Sequence, residues 1–185
     1  MDKELILEIP SNHTEAAIVS FSFFINETTL NWNELYFGVE TGFLTLQHVV
    51  EKAEMEASTQ QDVPESVLEA SFLLKDEEDE IEKALQNLIK QGVIVKQCLE
   101  DVEFLQTCKR KFLYIIMLWL YQQNCESISV SNATLYRLIW DFKGGFSDAT
   151  YEFEHAVSKM DVDVDAAFLE VWAAYLKEEK ELKLF

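Results

Sequence analysis

The chain has 185 residues, 49% of them hydrophobic and 12% aromatic, with five glycines and two prolines. That length suits one domain with a sizeable core, and so few breakers exclude turn-rich sandwiches and low-complexity chains in favour of long helices. The net charge of −19 excludes a surface that draws in nucleic acid or anionic membrane, and it favours a basic protein as partner.

The charge is unevenly placed from the start. Residues 1–74 hold thirteen acids against Lys3 and Lys52, and so carry −11 of the total. Met-Asp-Lys-Glu at the beginning lacks the basic lead of a secretory signal, and no cleavage pattern follows the apolar run Ala16–Ile25. The expected location is the cytoplasm. Glu4–Ile9 and Ala17–Phe24 are rich in β-branched and aromatic residues and are separated by Pro10-Ser-Asn-His13. Val19, Phe21 and Phe23 alternate with Ser20 and Ser22, the period of a half-buried strand. These runs predict a small β-hairpin over residues 1–29, packed as an extension on an all-α domain of residues 30–185. A helix over Thr14–Ile25 competes with it.

From Leu30 the period becomes helical. Trp32, Leu35, Tyr36 and Val39 share a face behind a cap at Asn31, with Gly38 and Gly42 bracketing the stop. Thr45 is expected to cap a second helix to Glu56, with Leu46, Val49, Val50 and Ala53 inward. Pro64 suits the first turn of a helix over Glu65–Leu74. The acids Asp76–Glu80 open another, where negative charge favours a helix N-terminus. Its apolar face is Ile81, Leu85, Leu88 and Ile89, and Gly92 ends it. Val93–Val95 reads as a short extended stretch or an apolar turn. The pattern over Val63–Gln97 is similar to a winged helix, but its recognition helix would begin with five acids, so it serves packing or protein contact.

Phe112–Tyr121 is ten apolar or aromatic residues without a charge. With its flanks, Asp101–Asn124, it predicts a central helix of roughly 36 Å that other helices must wrap, with Ile115, Ile116, Leu118 and Trp119 inside. Ten residues fall short of the ~20 that a membrane span needs. Lys109-Arg-Lys111 spans more than half the helix circumference and is expected to form a solvated collar, or to pair with nearby acids. Helices then follow over Ser129–Phe142, with Leu135, Leu138 and Ile139 inward, and from Ser147 or Asp148 to Lys159. The last covers Ala166–Leu182, with Phe168, Val171, Trp172, Tyr175 and Leu176 on its apolar face. The whole reads as a mainly α bundle around a buried central helix.

Signatures of chemistry are sparse. Asp161-Val-Asp-Val-Asp165 starts like a calcium loop, yet the sixth and twelfth positions hold Ala166 and Trp172 where Gly and an acid are required. Glu152-Phe-Glu-His155 has di-iron spacing, but a second such pair and two further glutamates are missing. Cys98, Cys108 and Cys125 have no C-x-x-C spacing and are expected to be reduced. No nucleophile elbow or phosphate cradle occurs. No cofactor, metal or catalytic residue is therefore assigned. A carboxylate-dependent hydrolase using Glu152, His155 and Asp141 remains the enzymatic alternative.

Trp32-Asn-Glu-Leu-Tyr-Phe-Gly-Val-Glu-Thr-Gly-Phe-Leu44, Phe112–Tyr121 and Leu135-Tyr-Arg-Leu-Ile-Trp-Asp-Phe142, in that order, resemble a family of small bacterial proteins of uncharacterised function. The resemblance covers about residues 31–160 and departs from the family at Lys143-Gly-Gly-Phe146. Relatives near polymorphic-toxin loci imply an immunity protein. The expected function is thus inhibition by covering a basic toxin domain with an acidic surface; the alternative to it within the binding class is a nucleic-acid mimic. The acids nearest loops and helix starts are the candidates for that surface: Glu34, Glu40, Asp141, Asp148, Asp161, Asp163 and Asp165.

Overall fold

The computed structural model describes residues 4–7, 17–126, 135–136, 138–139, 148–159 and 166–181. The described chain is mainly helical. Glu4–Leu7 (β1) and Ala17–Ser20 (β2) run antiparallel, with Leu5 opposite Val19 and Ile6 opposite Ile18. Residues 8–16, where the hairpin would turn, lie outside the described residues. The strand expected to continue to Phe24 stops at Ser20, and Phe21–Glu27 is a helix, α1. Packing overrides the alternation here. Phe24, not Phe23, is the fully buried ring, 5.2 Å from Phe112 between centroids.

Helix α2, Trp32–Glu40, begins with a full capping box. The Glu34 N–H donates to Asn31 Oδ1 at 2.9 Å, and the Asn31 N–H donates to Glu34 Oε2 at 2.8 Å. Gly38 does not end this helix. It lies within it, where an added Cβ would stand 2.6 Å from Leu44 Cδ1 and 2.8 Å from Phe112 Cζ. Only a residue without a side chain lets the returning chain and the central helix approach so closely. Phe37, Phe43 and Phe112 cluster around the same point.

Helix α3 is Gln47–Thr59, and its start reverses the expected cap. The Thr45 side chain makes no cap to the helix; instead the Thr45 N–H donates to Nδ1 of the buried His48 at 2.8 Å. That bond needs an unprotonated Nδ1. Val49, Val50 and Ala53 are buried as expected. Helices α4 (Glu65–Ser71) and α5 (Glu78–Lys90) pack against α3 and each other. α4 is shorter than the expected Glu65–Leu74, because Phe72 closes it and the chain turns. Gly92, at φ 77°, follows the end of α5, and the turn places Ile94 in the core through bonds from Val93 and Ile94 to the Leu88 carbonyl.

A 3-10 turn, Lys96–Glu100, leads into the central helix α6, Val102–Glu126. Lys111 to Met117 are all buried, which bears out the central-helix expectation. Leu118 and Trp119 were expected inside and are only partly covered. Among the described residues the fully enclosed tryptophan is Trp172, on the last described helix. Leu135, Leu138 and Ile139 are buried as expected. Helices α7 (Asp148–Ser158) and α8 (Ala166–Glu181) pair through Phe153, whose ring stacks on Tyr175 at 4.7 Å and meets Phe168 and Trp172. Val171 was expected on this apolar face but is 41% exposed. α6 touches α2 and α8. The buried apolar residues form one continuous cluster reaching from α1 to α8.

Candidate functional site

The basic residues resolve first, because three of them face inward. Lys111 and Arg110 do not belong to a solvated collar. Lys111 Nζ donates to Glu34 Oε1 at 2.6 Å and to the Thr29 carbonyl at 2.8 Å, and both side chains are almost wholly enclosed. Arg110 grips Glu179 with Nε at 2.7 Å and Nη2 at 3.3 Å, and that carboxylate is fully buried. Lys52 completes the set. Its Nζ donates to the Leu30 carbonyl at 2.6 Å and to Glu56 Oε1 at 2.8 Å, while Glu56 Oε2 accepts the Trp32 indole N–H at 2.9 Å. Lys52 and Lys111 therefore hold neighbouring carbonyls of one linker, between α1 and α2.

These pairs position the chain. Both oxygens of Glu34, Glu56 and Glu179 already accept bonds within the protein, so none is offered to a substrate proton. Cys108 lies beside Glu34 and Lys111, but burial, with a lesser contribution from the Glu34 charge, pushes its thiol up to about 12. A thiol so protonated is a poor nucleophile.

Of the acids expected to form a partner surface, Glu34 is corrected outright. It points inward because the capping box and Lys111 together satisfy it. Glu40 and Asp148 are exposed, at the end of α2 and the start of α7. The buried Tyr36 has its phenol pushed upward by burial and, secondarily, by Glu40, to which it donates a hydrogen bond. Asp141, Asp161, Asp163 and Asp165 lie outside the described residues. Glu152 and His155 are both exposed on α7. Among the described residues no three His, Cys, Asp or Glu side chains are grouped as metal ligands would be. Nor is any described helix long and apolar enough to cross a membrane.

The most strongly acidic described surface lies in the stretch that sequence reasoning gave to helix starts and to packing or protein contact. Glu65, Glu69, Asp76, Glu77, Glu78, Asp79, Glu80 and Glu82 are all exposed, and Lys75 is the one base between Glu65 and Glu82. Lys75 is turned back onto α3, at 3.0 Å from Glu51 and 3.7 Å from Glu54. Asn87 Nδ2 donates to Glu69 Oε2 at 3.0 Å, joining α4 to α5. In the middle of this surface three large apolar side chains face water: Phe72 at 83% exposure, Leu74 at 61% and Leu68 at 39%. Val67 and Ala70, on the other side of α4, are fully buried. The signal was in the sequence. Leu68 and Phe72 are four residues apart, off the Val67–Ala70 stripe, and run straight into the acid cluster.

A family model described as an uncharacterized protein conserved in bacteria (DUF2247) matches residues 21–180. The chain belongs to that family. The match begins at the start of α1, after the two strands. No curated protein and no solved structure matches the chain.

Proposed function

We propose that this bacterial protein is an immunity-type inhibitor, which neutralises a basic toxin domain in the cytoplasm by binding and covering it. The observation that carries the reading is where charge cancels. Lys52, Arg110 and Lys111 pair with Glu56, Glu179 and Glu34 in or at the edge of the interior, one base to one acid. The net −19 is therefore borne by the remaining groups, and among the described residues Glu40, Asp148 and the acids of the α4–α5 surface are exposed. A field of that sign speeds encounter with a positively charged partner and orients it, while a few apolar contacts hold the complex together. The resemblance to families found near polymorphic-toxin loci supplies the toxin part of the reading. Glu40 and Asp148, together with Asp141, Asp161, Asp163 and Asp165 from the sequence, are candidate contacts on that outer surface.

The test is affinity capture with the full chain in the bacterium that encodes it, followed by association rates at two salt concentrations. The expected partner is basic, with an association rate approaching about 10⁸ M⁻¹s⁻¹ at low salt and falling as salt rises. An acidic partner, or a rate indifferent to salt, refutes the mechanism.

A further inference from the structure

We infer that the α4–α5 turn is the docking face for a basic protein domain, with Phe72 seated in an apolar socket and the carboxylates around it meeting the socket's lysines and arginines. The inference rests on the inhibitor reading above and gives it a location.

Single exposed apolar residues are ordinary on any surface. Three large ones within seven residues, one of them a phenylalanine at 83% exposure, are not explained by the fold. Leu68 and Phe72 stand one helical turn apart on the side of α4 that the core does not use. Leu74 follows in the turn, where its N–H donates to the Glu77 carboxylate at 3.3 Å, so acid and apolar side chains are held together there. An exposed aromatic ring inside a charged rim has the layout of an interface anchor, whose energy comes from filling a dry pocket while the rim sets encounter and orientation.

Charge selects the occupant. A second copy would bring eight exposed carboxylates against eight more, with Lys75 engaged by Glu51 and Glu54 and Lys83 by Glu80 on each side. Nucleic acid and anionic lipid are repelled by the same groups. A protein surface with an apolar hollow ringed by Lys and Arg satisfies both parts of the face at once.

The test places the photo-crosslinking residue p-benzoylphenylalanine at position 72 of the full chain, in the encoding bacterium, with the exposed Val102 at the start of α6 as the control position. The crosslinked protein is then purified and its binding measured against the native chain, Phe72→Ser, and Glu78→Gln/Asp79→Asn/Glu80→Gln. Circular dichroism melting confirms that each variant is folded. The expected result is a basic protein crosslinked from position 72 and not from 102. Phe72→Ser should weaken its binding about 10-fold or more through faster dissociation. The triple variant should slow association at low salt and match the native chain at high salt. Crosslinking to a second copy overturns the inference. So does a captured basic partner that binds Phe72→Ser as tightly as the native chain, a result that leaves the inhibitor reading standing. Capture of no partner by the full chain overturns both.

Discussion

Around the α1–α2 linker the carboxylates face inward, each fixed by a buried base; from Glu65 to Glu82 they face water beside exposed apolar side chains. The two regions are both acidic in sequence and opposite in use. Near the linker, charge works over less than 3 Å in a low-dielectric setting, where an unmatched partner is costly and the geometry is therefore exacting. On the α4–α5 face the same groups are solvated, add little to stability, and act at a distance limited by salt. Acidity alone therefore says nothing about role; the presence of an enclosed base does.

The widest separation between the two regions is expected at Lys111. Lys111→Met leaves Glu34 buried without its cation and should cost about 3–5 kcal/mol in urea unfolding, whereas adding Glu34→Gln should recover part of that loss. A shift below about 1 kcal/mol for the single variant would show that water reaches this pair. Next comes Gly38→Ala. Its new methyl meets Leu44 and Phe112 inside 3 Å, so overpacking of about 1–3 kcal/mol is expected from the same titration. Asn31→Ala removes half the capping box and should cost about 1 kcal/mol, read as a lower melting temperature with unchanged helix content at 20 °C. The smallest effect belongs to the outer face. Glu78→Gln/Asp79→Asn/Glu80→Gln should move stability by no more than about 0.5 kcal/mol, because the lost helix-terminus attraction and the lost exposed Glu80–Lys83 pair are offset by relieved repulsion. If this triple variant destabilises as much as Lys111→Met, the two regions are not opposites.

The helical period carried most of the fold into view. Ile81, Leu85 and Leu88 on α5 and Phe168, Trp172 and Tyr175 on α8 each share one face and are buried as their spacing requires, and the unbroken apolar run of α6 is enclosed from Phe112 to Met117. The Asn31–Glu34 box was half visible, since a cap residue and a following Glu are local signals. What spacing could not supply was the destination of long side chains. Arg110 and Lys111 read first as a solvated collar because their partners lie 69 and 77 residues away, and nothing local marks Thr29 or Leu30 as carbonyls awaiting a cation. Glu34 was mistaken for a surface acid for the same reason. Phe21–Phe24 was read as the end of a strand because its Ser–Phe alternation is a two-residue signal, overruled by the burial of Phe24 against Phe112. Trp119 was placed inside on composition, while the position that is enclosed, Trp172, depends on α7 and α8 meeting around Phe153. The spacing of Leu68 and Phe72 off the Val67–Ala70 stripe was visible, but that these side chains stay exposed is a property of the finished packing.

Arg110 and Lys111 are adjacent on α6 yet reach in opposite directions along the chain, to Glu179 and to Glu34. This gives the molecule an order of assembly on the ribosome. When Lys111 emerges, Glu34 and the Thr29 carbonyl have already been made, so Lys111 has both of these partners at hand. Arg110 must wait for 69 more residues, roughly 3–14 s at ordinary elongation rates. Throughout that interval the side of α6 destined for α8 lacks its cover, and the nascent chain carries an unneutralised guanidinium beside bare apolar surface. Slow codons between Tyr121 and Glu179 would lengthen that window of exposure and the call on chaperones, whereas slow codons before Lys111 would leave it unchanged.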